Sequence, residues 1–237
     1  MLEQSTHWLE IAGTALDGLL LLRVIQLRLH RVYAFLTLAC GLALFFDVVG
    51  LWLGTNSEEN FRVFLFSRFL YVFIYPLVAW DVFEQIANQI GKLRRMAMAR
   101  LISGLLVTAV LGLLIAGSEE SGDSSSNGTA LGTIAVILWA GGSTASLAFL
   151  FSVQRILRAQ KVELPNNTFV WMRYFELSLL AEVVNCFSSL VFSLVKSPAT
   201  VGVVNIVFIC YEIAITLWCI VRLRMIQSDV PSAPLQA

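Results

Sequence analysis

The chain has 237 residues, of which 58% are hydrophobic and 14% are charged, and its formal net charge at pH 7 is zero. Soluble domains carry about 25% charged and about 45–50% apolar residues, so this composition argues against a soluble protein and for residence in a membrane. The balanced charge argues against the basic surface with which proteins bind nucleic acid.

Seven apolar segments follow one another along the chain, each close to the ~20 residues that a helix needs to cross a bilayer. They cover residues 8–28, 32–54, 61–86, 97–117, 130–153, 169–194 and 200–222. The pattern predicts an all-α polytopic membrane protein, with a seven-helix transmembrane domain over residues 1–226 and a disordered cytoplasmic tail at 227–237. The N-terminal residues lack the basic region of a cleavable signal peptide, so the first segment is expected to remain as a span.

The charges between the segments alternate along the chain. Basic residues follow segments one, three, five and seven: Arg28, His30, Arg31, Lys92, Arg94, Arg95, Arg100, Arg155, Arg158, Lys161, Arg222 and Arg224. Acidic residues follow segments two and four: Glu58, Glu59, Glu119, Glu120 and Asp123. The positive-inside rule then predicts an N-terminus outside and a C-terminus in the cytoplasm, in a plasma or inner membrane. Trp8 and Trp52 near the outer surface, and Trp80 and Trp171 near the inner one, are expected to be interfacial anchors.

Five segments combine a polar stripe with an ionisable residue, because positions three, four or seven apart share one helix face. The stripes contain Asp17 in segment one, Asp47 in segment two, Arg68 in segment three, Glu182 and Asn185 in segment six, and Glu212 and Thr216 in segment seven. Segments four and five carry small residues instead, including the stretch at 140–146, which predicts close helix packing.

A charge at the bilayer centre costs about 2.5–3.5 kcal/mol, so these residues are expected to face the interior of the bundle. Asp47 and Arg68 lie in the outer halves of neighbouring segments and are predicted to form a structural ion pair. Asp17, Glu182 and Glu212 lie near the middle of theirs, with no cation assigned to them. With Asn185 and Thr216 they are predicted to form a site for a proton, a cation or a basic ligand; the identity of any metal stays open.

Several known classes of membrane protein do not fit. The number of spans, the outer N-terminus and the length are similar to those of microbial rhodopsins, but a covalent retinal needs a lysine in the seventh helix. Segment seven has none, and Thr216 stands one turn after Glu212. The two histidines, His7 and His30, lie near membrane edges, which argues against a zinc or haem site built on histidines. No cofactor is therefore predicted.

Two interpretations of the function remain open. The first is a transporter-like or receptor-like membrane protein that handles a small molecule, proton or cation through its acidic interior. The alternative is a non-catalytic structural or assembly subunit whose polar residues hold helices together. An enzyme is disfavoured because no nucleophile–base pair is visible. The expected partners are the lipid bilayer, a small-molecule or cation ligand, and a membrane-protein partner or a second copy of the chain.

Overall fold

The computed structural model describes residues 2–54, 57–87, 127–161, 164–195 and 198–224, and all regular elements in these ranges are helical. The six α-helices are α1 (Leu2–Gln26), α2 (Ala34–Leu53), α3 (Glu58–Ala87), α4 (Asn127–Gln160), α5 (Asn166–Val195) and α6 (Pro198–Arg222), and a short 3₁₀ helix at Leu29–Arg31 precedes α2. The predicted all-α fold is confirmed for these residues. The predicted fourth segment, residues 97–117, and the tail at 227–237 lie outside the described residues.

Within the described ranges, four helices are long and apolar enough to cross a membrane. The candidate spans are Ala34–Leu53 in α2, Glu58–Glu84 in α3, Ile137–Ala159 in α4 and Val203–Arg222 in α6. Helices α1 and α5 are of similar length but are not among these candidate spans. The described part of the chain is therefore compatible with a helical membrane protein.

The helices pack in chain order around a ring. Each helix contacts the next one, α6 closes the ring against α1, and α3 also contacts α5. Helices α3 and α4 run parallel, because successive contacts between them move toward the C-terminal end of both helices. These contacts join Arg68 to Trp139, Val72 to Gly142 and Phe83 to Phe149.

Gly142 lies at the contact between α3 and α4, facing the backbone of Val72. A Cβ atom at Gly142 would lie 3.6 Å from the Cα of Val72, so a larger side chain here would push against the facing backbone. The neighbouring Ser143 and Ser146 are fully buried. These contacts agree with the packing role predicted for the small residues at 140–146.

One end of the ring is tightly packed and is called the closed end here. It contains the last turns of α1, α3 and α6 and the first turns of α2 and α5. Its hydrogen bonds join Tyr33 to Thr168 (2.8 Å), the backbone N–H groups of Phe35 and Leu36 to Asp81 (2.6 and 3.1 Å), and Asn167 to the backbone of Arg224 (2.9 and 3.0 Å). Trp171, predicted as an interfacial anchor, is instead fully buried in this end, because the side chain faces the core and stacks edge-on against Tyr174.

The outer faces of the helices are apolar and exposed. On α1 these residues include Trp8, Leu19 and Leu22, and on α6 they include Val207, Leu217 and Val221. On both helices the acidic residues occupy the opposite side, because Asp17 and Glu212 are about half a turn away from these positions. Apolar side chains thus face outward and ionisable side chains face the centre of the ring, the reverse of a soluble bundle.

Candidate functional site

A cavity of about 610 Å³ opens at the end opposite the closed end. It lies between α1, α2, α3, α5 and α6, and its lining runs from His7 and Asn60 at the mouth to Tyr174 and Thr216 in the middle of the bundle. Small residues help to keep it open: a Cβ atom at Gly13 would meet no described atom within 4 Å. The cavity therefore connects the open end with the depth at which the acidic residues lie.

The structure brings most of the predicted site residues to this cavity. The residues that line it include Asp17, Asp47, Arg68, Glu182, Glu212 and Thr216. Asn185, which lies on α5 almost one turn beyond Glu182, is half-buried and does not belong to the lining. The predicted outer and central groups thus share one continuous space rather than forming two separate sites.

Glu182 is the best-anchored acid in the cavity. Its Oε2 accepts hydrogen bonds from Trp139 Nε1 at 2.7 Å and from Ser143 Oγ at 3.2 Å, and its Oε1 accepts one from the Tyr75 hydroxyl. The donors come from α3 and α4, so this carboxylate on α5 joins three helices. Hydrogen bonds to a carboxylate are stronger than those between neutral groups, and Glu182 is therefore placed to hold the bundle together.

Asp17 on α1 and Asp47 on α2 line the same part of the cavity. Their charges are close enough to repel each other if both are ionised. Because Asp47 is exposed to the cavity, the two residues give this side of the cavity an acidic wall.

Arg68 lies against aromatic rings. Its guanidinium carbon is 3.8 Å from the centre of the Trp139 ring and 4.5 Å from the centre of the Phe64 ring. Asp47, Glu182 and Glu212 interact with this charge at longer range. The direct ion pairs within the described ranges are Arg62–Glu58 at the mouth (2.7 Å) and Arg173–Glu176 near the closed end (3.1 Å). The predicted pair of Asp47 and Arg68 is not among these direct ion pairs; the two charges attract each other at longer range.

Glu212 belongs to the face of α6 that lines the cavity. Ile209, Ile213 and Thr216 share this face, and Tyr174 of α5 lines the same cavity. Glu212 itself is exposed, and no group in the described part of the chain is hydrogen-bonded to its carboxylate. Of the three central acids, Glu212 is thus the most exposed.

An aromatic wall completes the site. Tyr71 and Tyr75 stack with ring centres 5.1 Å apart, and Phe46 and Phe175 pack edge-on against them at 6.2 and 5.7 Å. Sequence periodicity places Arg68, Tyr71 and Tyr75 on one face. It missed Trp139 and Ser143 as partners of Glu182, although buried polar groups at 139, 143 and 146 share one face of α4.

Among the described residues, no three or more His, Cys, Asp and Glu side chains are grouped so as to hold a metal ion. No protein-family model, curated protein or solved structure matches the chain. The described residues form a helical, membrane-compatible ring with an acidic, aromatic-walled cavity open at one end.

Proposed function

We propose that the protein is an integral membrane protein that binds a small molecule with a positively charged group in the cavity, as a transporter or receptor does. The lining contains the acidic residues Glu10, Asp17, Asp47, Glu182 and Glu212, whereas Arg68 is its single arginine or lysine. Its volume falls within the about 300–1,000 Å³ of small-molecule sites and is suited to a polyatomic ligand rather than a single bare ion.

The observation that carries the proposal is the continuity of the cavity from the open end to Glu212. A carboxylate held in an apolar bundle without a hydrogen-bond partner is unfavourable, and a cation beside it offsets that free energy. The stacked Tyr71 and Tyr75 also line the cavity, and aromatic ring faces attract cations. The charge and the aromatic lining of the cavity thus both favour a molecule with a positively charged group.

Three observations support seven spans with the cavity facing outside. Helices α3 and α4 are parallel neighbours, so the end of α3 and the start of α4 lie at opposite ends of the ring, as an intervening span would require. The outward face of α1 is apolar, although the helix also carries charged residues on its other side. Basic residues gather at the closed end, as the positive-inside rule expects of the cytoplasmic side: Arg23, Arg28, Arg31, Arg158, Lys161, Arg222 and Arg224.

The test is a binding titration with the purified protein in lipid nanodiscs, using phenethylamine as the cation and benzoate as the anion. Phenethylamine should bind and benzoate should not. Glu212→Gln should weaken phenethylamine binding at least tenfold, whereas Glu84→Gln should leave it unchanged, because Glu84 is exposed on α3 at the closed end. Equal binding of the two probes, or unchanged binding by Glu212→Gln, would overturn the proposal.

One observation favours the alternative, an assembly subunit. The three hydrogen bonds to Glu182 are what a purely structural acid would make. On this alternative, Glu182→Gln and Glu212→Gln would both lower the stability of the bundle and neither probe would bind. On the leading proposal, Glu182→Gln lowers the stability of the bundle, whereas Glu212→Gln weakens binding of phenethylamine.

A further inference from the structure

Arg68 has unused hydrogen-bonding capacity. Its Nε atom is buried and has no hydrogen-bond partner among the described residues. A guanidinium carries five N–H donors, and burying a charged donor without an acceptor is strongly unfavourable. Five acidic residues line the same cavity, yet among the described residues Arg68 forms no direct ion pair with any of them. The fold thus keeps this cation apart from the acids that it faces.

Two aromatic rings pack against the guanidinium. Trp139 and Phe64 lie within 3.8 and 4.5 Å of the guanidinium carbon, and the Trp139 indole is itself held by its hydrogen bond to Glu182. Stacking occupies the face of a guanidinium and leaves its edge free for paired hydrogen bonds to a planar anion. Arg68 is thereby pre-organised to bind a carboxylate or a similar oxyanion.

The charges of opposite sign lie on different sides of the ring. Arg68 projects from α3, whereas Glu212 projects from α6 and the Asp17–Asp47 pair from α1 and α2. Helices α1 and α6 pack against each other and make no contact with α3, so the cavity separates Glu212 from Arg68. A molecule that spans the cavity would meet a cation on one side and carboxylates on the other.

We infer that the ligand is zwitterionic: a small molecule whose ammonium group faces Glu212 and whose carboxylate or other oxyanion binds the edge of the Arg68 guanidinium. This inference rests on the proposed function and narrows its ligand class. Arg68 then determines specificity, because a simple amine leaves the guanidinium unpaired and adds a repelled cation to the same space.

The experiment compares phenylalanine with phenethylamine, which differ only by the α-carboxylate. In nanodiscs the wild-type protein should bind phenylalanine at least tenfold more tightly. Arg68→Gln should remove that preference, and Arg68→Lys should remove most of it, because an ammonium cannot form the paired hydrogen bonds. Arg62→Gln is the matched control: it removes an exposed arginine of α3 that is paired with Glu58 at the mouth.

The ratio of the two affinities is measured within one variant, so a partly unfolded preparation does not change it. A wild-type protein that prefers phenethylamine would overturn the zwitterion and leave the proposed function intact. Failure of both probes to bind would overturn the two together. A preference for phenylalanine that survives Arg68→Gln would show that another group binds the carboxylate and would remove Arg68 from the site.

Discussion

The hydrogen bond from Trp139 to Glu182 gives the sharpest test of how the bundle is held together. Trp139→Phe keeps an aromatic ring and removes the Nε1 donor that lies 2.7 Å from the carboxylate. Trp139 is only 4% exposed, so water does not readily replace the lost donor. The substitution should therefore lower the free energy of unfolding.

The magnitude follows from the type of bond. A hydrogen bond to a charged group contributes about 1.5–3 kcal/mol in soluble proteins, whereas polar contacts between membrane helices average about 0.6 and reach about 1.7 kcal/mol. Ser143 and Tyr75 still donate to Glu182 in the variant, which limits the loss. We expect a destabilisation of about 1–2 kcal/mol, the upper part of the membrane range and the lower part of the soluble one.

The assay is reversible unfolding in mixed micelles with increasing denaturing detergent, followed by circular dichroism. Trp52→Phe is the matched control, because Trp52 is 84% exposed and the same change there should fall within about 0.5 kcal/mol of wild type. If Trp139→Phe destabilises the protein no more than Trp52→Phe, Glu182 does not anchor α4 and the reasoning fails.

Three further predictions address topology, charge and packing. In a cysteine-free background, cysteines at Ser125 and Gln160 should react with an impermeant maleimide from opposite sides of the membrane; reaction from one side would contradict the seven-span topology. Arg68→Leu should destabilise the protein and Asp47→Asn should partly rescue it, because the two charges attract each other; additive losses in the double-mutant cycle would mean that they do not interact. Gly142→Leu should cost about 1–3 kcal/mol by overpacking against Val72, whereas Gly41→Leu, where a Cβ meets nothing within 4 Å, should cost less; equal losses would argue against a tight α3–α4 contact.

The helices and their inward faces could be predicted from the sequence. Periodicity alone places Glu212 and Thr216 on one face of α6, and both line the cavity. The reason is that burying an ionisable group away from lipid is a strong local constraint that each helix satisfies by itself. The ends of the helices are predicted less accurately from the sequence. Helix α4 begins at Asn127 and ends at Gln160, beyond the predicted segment 130–153 at both ends.

The pairing of residues between helices could not be predicted in the same way. Periodicity says which residues share a face, but not how far each helix is rotated or which face it meets. The sequence therefore matches Asp47 to Arg68 by depth alone, and it does not show that Asp17 lines the same cavity. Trp139 looks like an ordinary apolar residue of a packing helix until α5 brings Glu182 to its indole nitrogen.

The contact between the first and last helices has a consequence for biogenesis. Helix α1 packs against α6, and Arg23 donates a hydrogen bond to the carbonyl of Leu223, a residue 200 positions later in the chain. At translation rates of about 5–20 residues per second, that interval lasts about 10–40 s. During this time the face of α1 that carries Asp17 has no α6 beside it. A nascent chain halted before α6 would therefore present an unshielded acid to its surroundings, the kind of defect by which membrane quality control recognises unfinished proteins.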